Sequence, residues 1–169
     1  YVRINGVGGI ANYTGVEQVH QGIEFDAKWK ISPLVDLEGM LTLGNYEYGS
    51  DVTDSNVTNN SGQSIGSATL YLDGEKVGTT AHKTARLNLT VNPSDKFKFN
   101  LSLFHADDIF GTVNTEDFQD PEDTTMQLPA YELFDFGSSY TLSIGGKDVY
   151  LRLNINNIFD EEYYYMSRN

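Results

Sequence analysis

Six stretches of the chain alternate apolar and polar residues with a period of two, which is the pattern of strands with one oily and one wet face. In the first, Ile23, Phe25, Ala27, Trp29 and Ile31 share a side, with Glu24, Asp26, Lys28 and Lys30 opposite. The second, Leu37 to about Tyr48, sets Leu37, Gly39, Leu41 and Leu43 against Glu38, Thr42 and Gly44. The third, about Lys83 to Val91, places Ala85, Leu87, Leu89 and Val91 opposite Arg86, Asn88 and Thr90. The fourth, Phe97 to Ile109, opposes Phe97, Phe99, Leu101 and Leu103 to Lys98, Asn100 and Ser102. In the fifth, about Tyr131 to Ile144, Phe134, Phe136, Tyr140, Leu142 and Ile144 share a face. In the sixth, Val149, Leu151, Leu153 and Ile155 alternate with Tyr150, Arg152, Asn154 and Asn156.

The connections carry as much information as the strands. Short turns at 32–36, 92–96 and 145–148 alternate with long polar loops at 49–82, at 110–130 and from 157 onward. Thr69-Leu-Tyr-Leu72 is a candidate short strand inside the first loop, and Asp73-Gly74 a candidate hairpin turn. The first twenty residues, rich in glycine, read as a loop with at most a frayed strand. Tilted strands of about 9–11 residues span a bilayer core. Short turns at one end and long loops at the other are the plan of an outer-membrane barrel. The expectation is an all-β chain, an antiparallel up-and-down transmembrane β-barrel segment. A soluble β-sandwich has shorter strands and no such ordered alternation of loop lengths.

Trp29 falls near a short turn. Tyr46, Tyr48, Phe104, Phe110, Tyr131, Phe159 and Tyr163 to Tyr165 fall near long-loop ends, so two aromatic girdles are expected. The bland alternative is that Tyr and Phe are common strand formers.

Composition narrows the field. The 169 residues include no cysteine, so neither a disulfide framework nor a thiolate metal site is available. Eleven Lys and Arg against 24 Asp and Glu give net −13, which argues against binding a phosphate backbone. Eleven Tyr, nine Phe and one Trp argue against disorder. No run approaches the roughly 18 apolar residues of a spanning helix, and a mean hydropathy of −0.39 suits a barrel, where only alternate residues face lipid.

Candidate chemistry is sparse. Glu116, Asp117, Asp120, Glu122 and Asp123 crowd one loop, but their spacing matches no EF-hand, and a solvated acidic loop is the simpler reading. Strand pairing is expected to bring His82 near His105, with His20 apart; two imidazoles there would suit a metal complex or a pH sensor. A lone strand-end histidine more often caps a polar interface. No nucleophile elbow or metal-binding motif is visible, so no catalytic residue, cofactor site or metal site is expected. Arg152, Asn154, Asn156 and Asn157 form a polar set on the wet side of the sixth strand and just beyond it.

Asn157-Ile-Phe-Asp-Glu-Glu-Tyr163 resembles the N-L-F-D-K-x-Y segment near the C-terminus of TonB-dependent outer-membrane receptors. Gln21-Gly-Ile-Glu-Phe25 with Leu37 to Tyr48 resembles their x-G-x-E-x-x … L-x-x-x-x-Y-x-Y hairpin. Leu128-Pro-Ala-Tyr-Glu-Leu-Phe-Asp135 resembles their l-P-a-Y-x-l-x-D strand. The resemblance implies a plugged barrel of about 22 strands, of which residues 1–169 would be a C-terminal portion lacking the plug and the last aromatic-ended strand. It also implies energy-coupled uptake of a scarce large ligand, most often an iron–siderophore complex, across the bacterial outer membrane. The implied partners are outer-membrane lipid, TonB acting through the absent plug, and the ligand, with no enzymatic activity. Arg152, Asn154 and Asn156 would face the lumen, and Gly49–Ala81 and Gly111–Pro129 would form part of the ligand mouth. The rival from another class is a soluble or surface-attached β-sandwich that stacks sugars on Trp29 or the tyrosines. The identity of the ligand is not readable from the residues.

Overall fold

The computed structural model describes residues 2–114 and 116–164; the expectations for Tyr165 and the terminal residues lie outside them. In chain order come β1 (Val2–Ile4), β2 (Val7–Ala11), β3 (Gln18–Ser32), β4 (Val35–Tyr48), β5 (Val52–Thr58) and β6 (Ser64–Leu70). There follow β7 (Ala81–Ser94), β8 (Phe97–Phe110), β9 (Gln127–Leu128), β10 (Tyr131–Ile144) and β11 (Lys147–Ile155). A single 3-10 turn, Asp117–Gln119, is the only helical element among the described residues.

The six long strands form one antiparallel meander in the order β11-β10-β8-β7-β4-β3, with β9 paired to the outer end of β8. Their short connections have a local cause. Gly145 and Gly146, at φ +58° and +76°, supply the two left-handed residues that a two-residue hairpin turn demands. Pairing register carries each face across the whole sheet. Trp29, Leu37, Leu89, Leu101, Phe136 and Ile155 make one continuous apolar rung. Lys28, Glu38, Asn88, Ser102 and Asp135 make a polar rung on the opposite side.

Nothing in the described chain covers the apolar side. Ile23, Phe25 and Trp29 are more than 60 % exposed, and Leu87, Leu101, Leu151 and Leu153 roughly half exposed. A soluble sandwich would lay a second sheet over these rows; here the sheet presents them outward, as a barrel wall presents them to lipid. No helix among the described residues is long and apolar enough to cross a membrane.

The buried residues lie elsewhere. Most belong to a second sheet, ordered β1-β2-β5-β6, and to segments beyond the outer strand ends. Val52, Leu70, Leu72 and Phe118 form one cluster; Val2, Val57 and Ala68 form another, and Tyr13 packs against both. This sheet corrects the expectation of a loop with at most a frayed strand at 1–20 and of a long polar loop from Gly49 to about Leu70. The Asn5-Gly6 pair, at φ +48° and +81°, closes a tight β1–β2 hairpin. The side chain of Asn59 accepts from the amides of Ser61 and Gln63 to close the β5–β6 hairpin. The strand expected at Thr69–Leu72 ends at Leu70. Asp73-Gly74 does turn the chain, but it leads 75–77 back alongside the outer end of β4 rather than closing a hairpin.

The girdle expectation also needs correcting. Trp29 lies on the lipid-facing side, where Phe97 stacks on Phe99 and touches Tyr140 near the same short-turn end. At the other end, Phe104 and Tyr131 turn to the polar side and touch each other, and Phe110 is buried. Tyr48 packs against the first external cluster. Strand parity, not proximity to a loop, decides which face an aromatic joins.

Candidate functional site

The external segments interlock into one body above the strand ends. Phe118, carried on the 3-10 turn, is 4 % exposed among Val52, Leu70 and Leu72, and its carbonyl accepts the Tyr71 amide at 2.8 Å. The carboxylate of Glu75 accepts from the amide and hydroxyl of Thr125 at 2.7 and 2.8 Å. Asp51 Oδ1 accepts from the amides of Leu72 and Asp73. Gly78 runs so close to 110–111 that a Cβ there would lie 1.9 Å from the Gly111 carbonyl oxygen. The amide of Gly49 donates to Glu17, tying in the segment before β3. Burial among these segments pushes the Tyr13 phenol upward in pKa, and its hydroxyl has no hydrogen-bond partner. These bonds and contacts hold the segments beyond the strand ends in one packed body.

A ladder of rings crosses the lumenal side of the outer rim. His20 stacks on Tyr46 at 4.7 Å, Tyr46 meets His82 at 4.7 Å, and His82 meets Phe110 at 4.9 Å. Gly44 makes room, since a Cβ on it would meet the Tyr46 ring at 2.6 Å. His82 is 1 % exposed and its Nε2 bonds the Val77 carbonyl at 2.8 Å. The expected nearness of His82 and His105 is not found. They lie on opposite faces, and His105 instead sits 3.4 Å from Glu132 on the apolar side. Tyr46 brings His82 to His20 instead.

Arg152, Asn154 and Asn156 do face the polar side. Lys98, Ser139 and Arg152 share one cross-strand rung; Asn100, Gly137 and Asn154 share another. The small residues of β10 leave a trough of about 250 Å³ between the side chains of β8 and β11. Nearby, Lys28 pairs with Glu38, and the Arg86 guanidinium lies 5.0 Å over the Phe104 ring. The surface is hydrophilic and wettable, as a lumen wall is.

The acidic loop forms no ligand cage. Asp120 Oδ1 accepts from the Glu122 amide, and among the described residues no group of three acids or histidines is placed to hold a metal ion. Sequence reasoning missed Phe118, Glu75 and Thr125. Phe118, a lone large apolar residue in an acidic loop, was the available signal.

No curated protein and no solved structure matches the chain. The model of the family described as TonB dependent receptor-like, beta-barrel matches residues 2–158. With its apolar outer wall, polar opposite face and packed body beyond the strand ends, the chain belongs to the TonB-dependent receptor-like β-barrel family, a family of outer-membrane receptors and transporters.

Proposed function

We propose that the protein resides in the bacterial outer membrane and takes up a scarce large ligand, an iron–siderophore complex, with energy delivered through TonB. In this reading the six strands are a portion of the barrel wall, the polar side lines the transport path, and the external body recognises the ligand. The observation that carries it is the interlocked mouth at the ends of lipid-facing strands. Glu75 and Thr125, 50 residues apart in sequence, are bonded directly there.

The test is uptake of radiolabelled iron by cells with and without the protein. Ferric hydroxamate, catecholate and carboxylate siderophores would be supplied in turn. The reading expects one class to be accumulated only by cells carrying the protein, and expects accumulation to stop when the proton motive force is collapsed. Accumulation that ignores the protein, or persists without the gradient, overturns it.

A further inference from the structure

The trough on the polar side carries charge that the sheet itself does not answer. Lys98 and Arg152 share a rung with Ser139 between them, so their Cα atoms stand roughly 10 Å apart, two strand spacings. The short Ser139 side chain leaves the space between the two long ones open. Lys28, Lys76 and Lys83 each pair with a carboxylate. Among the described residues neither Lys98 nor Arg152 has such a partner. In a chain with 24 acids against 11 Lys and Arg, an unanswered pair of cations stands out. Asp135 is the one carboxylate in the trough lining, and its Oδ1 already accepts a main-chain amide.

The neighbouring rung repeats the plan with amides. Asn100 and Asn154 flank Gly137, where an added Cβ would come within 3.4 Å of Asn154 Oδ1. Asn100 Nδ2 donates to Thr90 Oγ1 at 2.7 Å, which leaves its amide oxygen to accept from the trough side. The trough is not a closed socket. Through Lys98, Ser139 and Tyr150 it joins a second hollow of about 420 Å³ at the short-turn end, lined also by Lys96 and Asp95. A lane that continues to the end of the sheet suits a small diffusing molecule better than a docked side chain, which needs one closed socket.

We propose that this trough binds a hydroxycarboxylate, its carboxylate between Lys98 and Arg152 and its hydroxyl on the amides of Asn100 and Asn154. The planar guanidinium offers a carboxylate two parallel N–H donors, and the lysine adds a point charge. A bare phosphate would use the cation rung and leave the amide rung idle. A neutral sugar would use the amide rung and leave both cations unanswered. Only an occupant with both groups satisfies both rungs. The proposal deepens the uptake reading, on whose polar transport face it rests, and names the carboxylate class among the iron complexes.

The test titrates citrate into the intact protein in micelles by calorimetry, with tricarballylate, which lacks the hydroxyl, and inorganic phosphate as comparisons. Citrate is expected to saturate one site, and the other two anions to bind roughly tenfold more weakly. Lys98→Gln and Arg152→Gln should each weaken citrate by roughly tenfold or more, whereas Lys30→Gln, on the same face outside the trough, should leave it unchanged. The comparison of anions needs no variant, so a misfolded substitution does not spoil the experiment. No saturable citrate binding, equal binding of the three anions, or binding untouched by either substitution overturns the site. A carbodiimide crosslink from Lys98 to a carboxylate elsewhere in the protein, in place of citrate binding, assigns the trough to the protein's own chain and overturns it too. The titration needs no proton gradient, so the two readings fail separately. Citrate binding without iron accumulation overturns the uptake reading alone, and iron accumulation without citrate binding overturns the site alone.

Discussion

The main-chain amide of Asn157 donates to Oδ1 of Asp135 at 2.8 Å, and this bond ties together two motifs that are 22 residues apart in sequence. Asp135 ends the Leu128-Pro-Ala-Tyr segment and Asn157 begins Asn-Ile-Phe-Asp. Around that bond, the Ile158 amide donates to the Phe134 carbonyl, Phe159 meets Phe134 edge-on at 4.9 Å, and Tyr163 stacks on Tyr131 at 4.4 Å. Asn157 itself sits at φ +50° and exchanges two bonds with the main chain of Glu161. The residue types that marked the family in sequence therefore meet in space, as a latch that ends β11 and turns the chain back over β10.

Removing the acceptor should loosen this latch measurably. A hydrogen bond to a charged group contributes about 1.5–3 kcal/mol, so Asp135→Ala should lower the urea midpoint of the intact protein in micelles. Asp135→Asn, which keeps an acceptor, should cost less. Asn157→Gly should be milder than Asn157→Ala, because glycine accepts the positive φ and alanine does not. Equal losses for glycine and alanine would show that backbone conformation is not what Asn157 supplies.

The two faces of the sheet are separable by solvent. Nitroxide labels at Ile23, Phe25, Trp29, Leu41, Leu87, Phe99, Phe134 and Leu153 should be relaxed by oxygen, which partitions into lipid. Labels at Glu24, Lys98 and Arg152 should respond to a water-soluble nickel chelate. The reverse pattern would invert the wall, and protection of both rows from both reagents would mean that protein covers them.

That division was legible from alternation alone, because a strand with one lipid face must repeat every second residue. The sheet of β1, β2, β5 and β6 was not. Val-Thr-Asp-Ser-Asn-Val-Thr and Ser-Ile-Gly-Ser-Ala-Thr-Leu carry too few apolar residues for a pattern; they pair with each other as a hairpin, and the first also pairs with β2 across more than 40 residues. The separation of His82 from His105 was available but overlooked. Ala85 and Leu103 mark the apolar row, so parity puts His105 on that row and His82 opposite it. The polar trough was legible only as a set of wet-side residues. Its floor depends on Ser139 sharing a rung with Lys98 and Arg152, and Gly137 one with Asn100 and Asn154, which register alone reveals.

The mouth should depend on Phe118 and on the bond between Glu75 and Thr125. Burying an aromatic of this size typically contributes about 3–5 kcal/mol, so Phe118→Ala should release the 111–130 segment. Limited proteolysis would then cut that segment faster while the strands stay protected. Glu75→Gln should act in the same direction but more weakly, since the amide oxygen still accepts. Ligand affinity should fall in both variants, and unchanged affinity with a cut loop would remove the segment from the recognition surface.

The last expectation concerns solvent for the chain itself. Among the described residues its six long strands leave the apolar rows uncovered, and β3 and β11 stand at the two ends of the sheet with one side unpaired. Edges of this length template pairing with other chains. In hydrocarbon each unsatisfied backbone group costs roughly several kcal/mol; in water the exposed rows form an apolar face far larger than a monomer tolerates. The buried clusters of the external body are too small to offset either. Expressed as these 169 residues, the chain should elute as aggregate without detergent and disperse only with it. A sharp monomer peak in plain buffer with cooperative thermal unfolding would mean that the apolar rows had found cover within the chain, and the outward-facing wall would have to be abandoned.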